Sequence, residues 1–230
     1  MEISLQDIKE ARRTIQGIIT PTSLIPSKII SSLCGNQVFL KCENLQKTGS
    51  FKIRGAYNKI ANLTEEQKKR GVIASSAGNH AQGVALASAL NGIESTIVMP
   101  VGAPVAKVMA TQQYGSKVVL YGNVYDEAYE KAIEIQRQNK TTFIHPYNDP
   151  YVIAGQGTIG IEIFEEIQTI DAIIVPIGGG GLISGIAIAA KAINPKVKII
   201  GVEAEKASSM KESLKIGKIH TLKSANTIAD

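Results

Sequence analysis

Lys52 follows Gly49, Ser50 and Phe51 and begins an amphipathic helical stretch in ENLQKTGSFKIRGAYNKI, residues 43–60. A lysine held in a closed, partly apolar site has a lowered pKa, and its neutral amine attacks carbonyl carbon. Taken alone, the same lysine also fits an exposed helix surface. A second candidate is GGGG, residues 178–181, which follows an apolar run and opens a small-residue helix. Glycine lets backbone amides converge there, and a helix N-terminus carries roughly half a positive charge. Phosphate is the natural guest. No Walker lysine follows and the spacing is not G-x-G-x-x-G, which argues against an NTP loop. The third candidate is SSAGNHAQG, residues 75–83. Ser75, Ser76, Asn79 and His80 place short polar groups and amides at a helix start. They either cap that helix or bind a carboxylate or a ring hydroxyl. His80 by itself is weak grounds for catalysis.

A carbonyl-seeking lysine, a phosphate cradle and a polar loop together are what pyridoxal 5′-phosphate requires. The lysine takes the aldehyde, the glycines take the phosphate, and a polar side chain takes the ring hydroxyl.

The elements that must position these groups alternate along the chain. A helix over the first 17 residues precedes an extended segment containing Pro21 and Pro26. Strands are expected at 37–42, 71–76, 94–100, 116–122, 141–146, 171–177 and 196–204. Helices are expected at 79–91, 104–113, 124–138, 153–168 and 181–193. This order predicts an α/β fold with parallel sheets, helical crossovers and ligand loops at the carboxyl ends of strands.

With 230 residues, 44% hydrophobic and 20% charged, the chain has the length and composition of a globular protein with a substantial core. The net charge of +5 is scattered, and KKR at 68–70 beside Glu65 and Glu66 reads as a solvated helix end. With no Trp and few aromatics, nothing indicates a nucleic-acid partner. The modest positive balance suits an anionic cofactor or substrate. Cys34 and Cys42 match no zinc spacing and read as buried thiols of a reducing cytosol. The N-terminal segment lacks the apolar core of a signal peptide. Residues 172–190 carry no charge, but four consecutive glycines would cost a spanning helix about 0.8–1 kcal/mol each relative to Ala. A buried βα unit is expected there, and no membrane partner.

SFKIRGA, SSAGNHAQGVA and VPIGGGGLISGIA, in this order and spacing, resemble the fold-type II (tryptophan-synthase β-like) pyridoxal-phosphate enzymes. Within them they resemble the threonine dehydratase (threonine ammonia-lyase) and serine racemase family. HPYNDP (145–150), AGQGTIGIEI (154–163) and TIAD (227–230) look like the same family, so the resemblance spans essentially the whole chain.

The resemblance implies that Lys52 binds the cofactor aldehyde and later removes the substrate α-proton. Phe51 would pack beside the cofactor ring, and Asn79 would hydrogen-bond its 3′ oxygen. Gly178, Gly179, Gly180 and Gly181, with the Leu182 amide, would bind the phosphate. Ser76, Ala77, Asn79 and His80 would hold the substrate carboxylate, largely through backbone amides. The implied reaction converts L-threonine to 2-oxobutanoate and ammonia, and L-serine to pyruvate. Racemases of the group resemble SSGNH, with a serine directly before Gly-Asn. Ala77 stands there in this chain and has no proton to give, which favours elimination over racemisation; an L-serine dehydratase or racemase is the alternative reading.

GVEAEKASSM, residues 201–210, resembles the family's cation loop, with Glu203, the Ala207 carbonyl and Ser209 as ligands. Relatives that bind a divalent ion carry an acid where Ser209 stands, so a monovalent ion is implied. An ordinary strand-end carboxylate is the competing reading. The resemblance further implies two lobes, a small one at 47–145 and a large one combining 1–46 with 146–230, with the active site between them. It also implies a cytoplasmic homo-oligomer and further chain past residue 230 carrying the pyridine-nitrogen partner. An inactive cofactor-binding fragment is the non-enzyme alternative.

Overall fold

The computed structural model describes residues 2–222, 225 and 227. Helix α1 (Leu5–Ile15) starts at a capping box, in which the Asp7 N–H donates to the Ser4 side chain and the Ser4 N–H to the Asp7 carboxylate. Ile8, Ala11 and Ile15 recur at helical spacing and form its buried face. Strand β1 (Leu24–Pro26) pairs antiparallel with β2 (Phe39–Lys41), and α2 (Lys28–Cys34) lies between them in sequence. This pair departs from the expected parallel arrangement. Pro26 has no N–H to donate to the ladder, as suits an edge strand, and the Ser27 N–H makes the next bond, to the Val38 carbonyl at 2.8 Å.

Both thiols depart from expectation as well: Cys34 is exposed and Cys42 is half-buried. Helix α2 is seven residues long and buries none of its side chains, so its last residue has nothing to pack under.

Next come α3 (Lys52–Ala61), α4 (Glu65–Arg70), β3 (Val72–Ser75), α5 (Asn79–Leu90), β4 (Ser95–Met99), α6 (Val105–Gln113), β5 (Lys117–Leu120), α7 (Tyr125–Asn139) and β6 (Thr142–Phe143). The four strands form one parallel sheet in the order β5-β4-β3-β6. Every residue of the inner strand β3 is buried, as a parallel strand covered on both faces must be. On one face, Ile53 and Ile60 of α3 and Val84 and Ala87 of α5 pack with Val72, Ala74, Ile97 and Met99. On the other, Ala128 and Ala132 of α7 pack with Ile73 and Val98. Strand β6 is shorter than the six residues expected. The Ile144 N–H still donates to the Ile73 carbonyl (2.9 Å), but Pro146 has no N–H to continue the ladder.

Helix α8 (Pro150–Glu166) starts three residues earlier than its apolar pattern indicates. The Asp149 carboxylate accepts the N–H groups of Tyr151 and Val152, and Pro150 needs no partner in the first turn. A β7 (Ala172–Pro176), α9 (Gly181–Ile193), β8 (Lys198–Val202) unit follows, with the strands parallel, and then α10 (Ser209–Ile216). Residues 172–190 are therefore a strand, a turn and a helix. Among the described residues, no helix is long and apolar enough to cross a membrane. Helix α8 is buried almost throughout and touches α3 on one side and α9 on the other. Of the TIAD segment, all but Thr227 lies outside the described residues.

Candidate active site

Lys52 is the first residue of α3, with Phe51 as its N-cap. Its Nζ donates to the Pro146 carbonyl at 2.8 Å and lies 5.4 Å from the centroid of the Phe51 ring. Burial pushes the amine pKa down to about 8. A fraction of Lys52 is therefore neutral near physiological pH, as a nucleophile or base must be. Helix α5 approaches this turn closely because Gly83 has no side chain. A Cβ there would stand 3.1 Å from the Lys52 carbonyl carbon and 3.2 Å from the Ile53 nitrogen.

The Ser75–His80 segment leaves the carboxyl end of β3 and turns into α5. Gly78 is the N-cap, its N–H donates to Ser76 Oγ (3.2 Å), and Asn79 opens the helix in an exposed position. The first-turn amides of α5 have no carbonyl to meet inside the helix. His80 is buried, with Nε2 2.9 Å from the Ile144 carbonyl. A carbonyl only accepts, so Nε2 carries the hydrogen and Nδ1 is a bare acceptor, without a hydrogen-bond partner. Burial, then the neighbouring Lys52, pushes the imidazole pKa down to about 3. The side chain thus stays neutral and braces the end of β6, leaving its backbone amide for a ligand. Ala77 packs half-buried against the core of the four-stranded sheet.

The glycine segment leaves β7 and opens α9. Gly180 is the N-cap with φ of 89°, a left-handed conformation that side chains disfavour, and its carbonyl accepts the Ser184 N–H at 3.0 Å. Nothing lies within 4 Å of where a Cβ would stand at Gly178. At Gly179 a Cβ would collide with the Tyr147 ring, and at Gly181 it would come 2.8 Å from the Tyr147 carbonyl oxygen. Leu182 and Phe51 pack against one cluster, which includes Ile159, Ile163 and Ile186.

Pro146 and Tyr147 therefore tie two of the candidate segments together. Pro146 holds the Lys52 amine, and the next residue backs Gly179 and Gly181. His145 Nδ1 accepts the N–H groups of Tyr147 (3.3 Å) and Asn148 (2.8 Å) and fixes this turn. In the sequence, HPYNDP carries no sign of this role, because a backbone carbonyl has no side-chain signature.

The cation-loop residues lie on a separate segment, at the start of α10. Glu203 accepts the N–H groups of Met210 and Lys211, each at 2.8 Å, so its carboxylate caps α10. Ala207 ends a 3-10 turn, and Ser209, the first residue of α10, accepts the Ser213 hydroxyl at its carbonyl. Among the described residues, no three His, Cys, Asp or Glu side chains cluster to hold a metal. A cavity of about 260 Å³ lined by Asp7, Glu10, Asn58 and Tyr151, and a second of about 390 Å³ lined by Arg70, Arg137 and Lys140, both exclude Lys52.

The amides opening α9, the open space beside Gly178 and the left-handed turn at Gly180 fit a phosphate. The desolvated amine of Lys52 fits an aldehyde.

Comparison with known proteins gives the same picture. The family model for "pyridoxal-phosphate dependent enzyme" matches residues 15–230. The L-threonine ammonia-lyase of Thermotoga maritima is 55% identical over 228 residues, which is 99% of this chain and 57% of that protein. Maize serine racemase superposes with a TM-score of 0.96 at 43% identity, covering 100% of this chain and 70% of that one. The processed form of threonine deaminase isoform 2 from Solanum lycopersicum superposes with a TM-score of 0.94 at 42% identity, covering 98% of this chain and 66% of that one. The chain thus spans between 57% and 70% of the length of these relatives. By sequence and by fold, the chain belongs to the pyridoxal-phosphate dependent enzyme family.

Proposed function

We propose that the protein deaminates L-threonine to 2-oxobutanoate and ammonia, with L-serine giving pyruvate as a second substrate. The observation that carries this reading is the half-buried Lys52 amine, held by Pro146 beside the glycine turn. Relatives named for threonine ammonia-lyase and threonine deaminase support the substrate.

When bound, pyridoxal phosphate supplies an aldehyde for amines and a ring that accepts the electrons left by a departing α-proton. The chain supplies the rest. Amides of Gly178 to Leu182 would hold the phosphate at the positive end of α9, with open space beside Gly178 and with Gly179 packed against the Tyr147 ring. The Phe51 ring would pack beside the cofactor ring, and the Asn79 side-chain amide would hydrogen-bond its hydroxyl oxygen. Lys52 Nζ would bind the aldehyde and would serve as the base for the α-proton. The Pro146 carbonyl steers that amine by accepting its hydrogen. The amides of Ala77, Asn79 and His80, with Ser76 Oγ, orient the substrate carboxylate at the start of α5.

We further infer lobes at 47–145 and at 1–46 with 146–230. The four-stranded sheet falls wholly within the first, and the β7–β8 pair within the second. A homo-oligomer is supported by apolar side chains that stand exposed on α2 and β2, namely Ile29, Leu33 and Phe39. A cytoplasmic location is supported by two free thiols, one of them exposed. A monovalent ion at Glu203, Ala207 and Ser209 would have to share the carboxylate with the α10 amides.

The test is to incubate the full-length protein with L-threonine and assay 2-oxobutanoate. Lys52→Ala should lower the rate by roughly 10²–10⁴-fold or more. Formation of D-serine from L-serine without 2-oxobutanoate from L-threonine would favour the racemase reading. Ala77, which offers no proton on the opposite face, supports elimination.

A further inference from the structure

Arg54 lies two residues past Lys52 on α3 and is wholly buried. All five of its N–H donors are used. Nε and NH2 donate to the two Glu43 oxygens, each at 2.8 Å. NH1 and NH2 donate to the two Glu162 oxygens at 2.5 and 2.9 Å, and NH1 also donates to Thr158 Oγ1 at 3.1 Å. Lys41 Nζ adds a second cation on Glu162 at 2.8 Å, so two positive and two negative groups compensate each other in the interior. Burial alone would raise the Glu162 carboxyl pKa, but Arg54 and Lys41 outweigh it and hold it below the usual range.

The placement of this cluster is informative. Glu43 begins the 3-10 turn Glu43–Leu45, Arg54 sits in the first turn of α3, and Glu162 is on α8. The cluster therefore closes both ends of the segment that carries Lys52 and fastens it to α8. Between those ends the lead-in holds Lys52 only weakly. Its N–H meets Ser50 Oγ at 3.4 Å, and its amine meets a backbone carbonyl from a different segment. Replacing a buried ion pair by apolar groups is often neutral or stabilising, so net stability is a poor explanation for such a cluster. Fixing one geometry is a better one.

We propose that Arg54, gripped by Glu43 and Glu162, is a positioning residue that keeps the Lys52 amine in its desolvated place. This rests on the reading of Lys52 as the reactive amine, but its test does not require cofactor. In the full-length protein without cofactor, competitive acetylation read by peptide mass spectrometry gives the pH midpoint of Lys52 reactivity. The midpoint for the wild-type chain should lie near 8. Among the described residues, the titratable groups facing Lys52 are His80 from α5 and His145 from the segment after β6, and both imidazoles are held below their usual pKa. Neither titrates between pH 7 and 10.

Arg54→Lys keeps the charge but offers three donors where five are used. Its Lys52 midpoint should rise by about one unit, which makes labelling at pH 8 roughly fivefold slower. Glu43→Gln keeps an acceptor oxygen and loosens only the lead-in. Removing a negative charge would by itself lower the Lys52 midpoint, whereas release of the segment raises it, so the sign separates the two. Arg12→Lys, at an exposed ion pair with Glu165, should leave the midpoint unchanged. The proposal is overturned if folded Arg54→Lys keeps a midpoint near 8, or if Glu43→Gln lowers it. Should Arg54→Lys fail to fold by circular dichroism, the Glu43→Gln sign decides. If borohydride fails to fix the cofactor to wild-type Lys52, the cofactor assignment falls while this measurement still stands.

Discussion

The Lys52 amine owes its lowered pKa to loss of solvent: burial is the cause, with no charged partner among the contributions. Capture of an aldehyde by this amine should therefore rise with pH on a limb near 8, measured as the rate of cofactor uptake by the apo protein. A limb near the ordinary value of 10.5 would contradict it. His80 works in the opposite range. Its folded pKa of about 3 lies below the unfolded 6.5, so the unfolded chain binds the extra proton. Its contribution to stability is full above pH 6.5 and is lost as pH falls from there toward 3. Urea midpoints at pH 7 and pH 4.5 should show that loss. His80→Phe should shrink the difference and cost about 1–3 kcal/mol at pH 7, because the Ile144 carbonyl loses its donor. Lys52 and the glycines stood out in the sequence because residue type carries their chemistry, and the fold buries the Lys52 amine and sets the glycines at the start of α9. Pro146 did not stand out, since any residue could supply a carbonyl, and only the fold brings it 94 positions back to Lys52.

Helix α8 is the element against which both halves of the site are set, and small residues let it approach its neighbours. A Cβ at Gly155 would stand 2.6 Å from the Gly55 Cα and 2.7 Å from the Arg54 carbonyl oxygen, both backbone atoms that cannot swing away. Gly155→Ala should destabilise the protein by about 1–3 kcal/mol in a denaturant titration. Gly83→Ala is milder, since its contacts with Lys52 and Ile53 need give only a few tenths of an ångström. Its effect should fall more on the rate of the proposed deamination than on the unfolding midpoint, because what moves is the turn carrying Lys52. The alternating helices and strands were legible from apolar periodicity, and α5 and α9 start at the residues expected. Helix α2 was missed. It is short and buries none of its side chains, so no amphipathic stripe announced it. The exposure of Cys34 follows from the same cause.

Across the whole molecule, the proposed site draws on segments far apart in sequence: the turn at Lys52, the start of α5, the Pro146–Tyr147 turn and the glycine segment before α9. Periodicity could predict each element but not that Tyr147 backs Gly179, nor that one apolar cluster would hold both Phe51 and Leu182. Those contacts are tertiary, and at the level of sequence only the resemblance to a known family joined them. The most direct measurement is to add pyridoxal phosphate to the full-length protein, reduce with borohydride and map the modified peptide. A single reduced pyridoxyl group on Lys52, lost in Lys52→Ala, is the expected result. Labelling of another lysine, or an unmodified Lys52 at saturating cofactor, would contradict the assignment of this amine as the centre of the site.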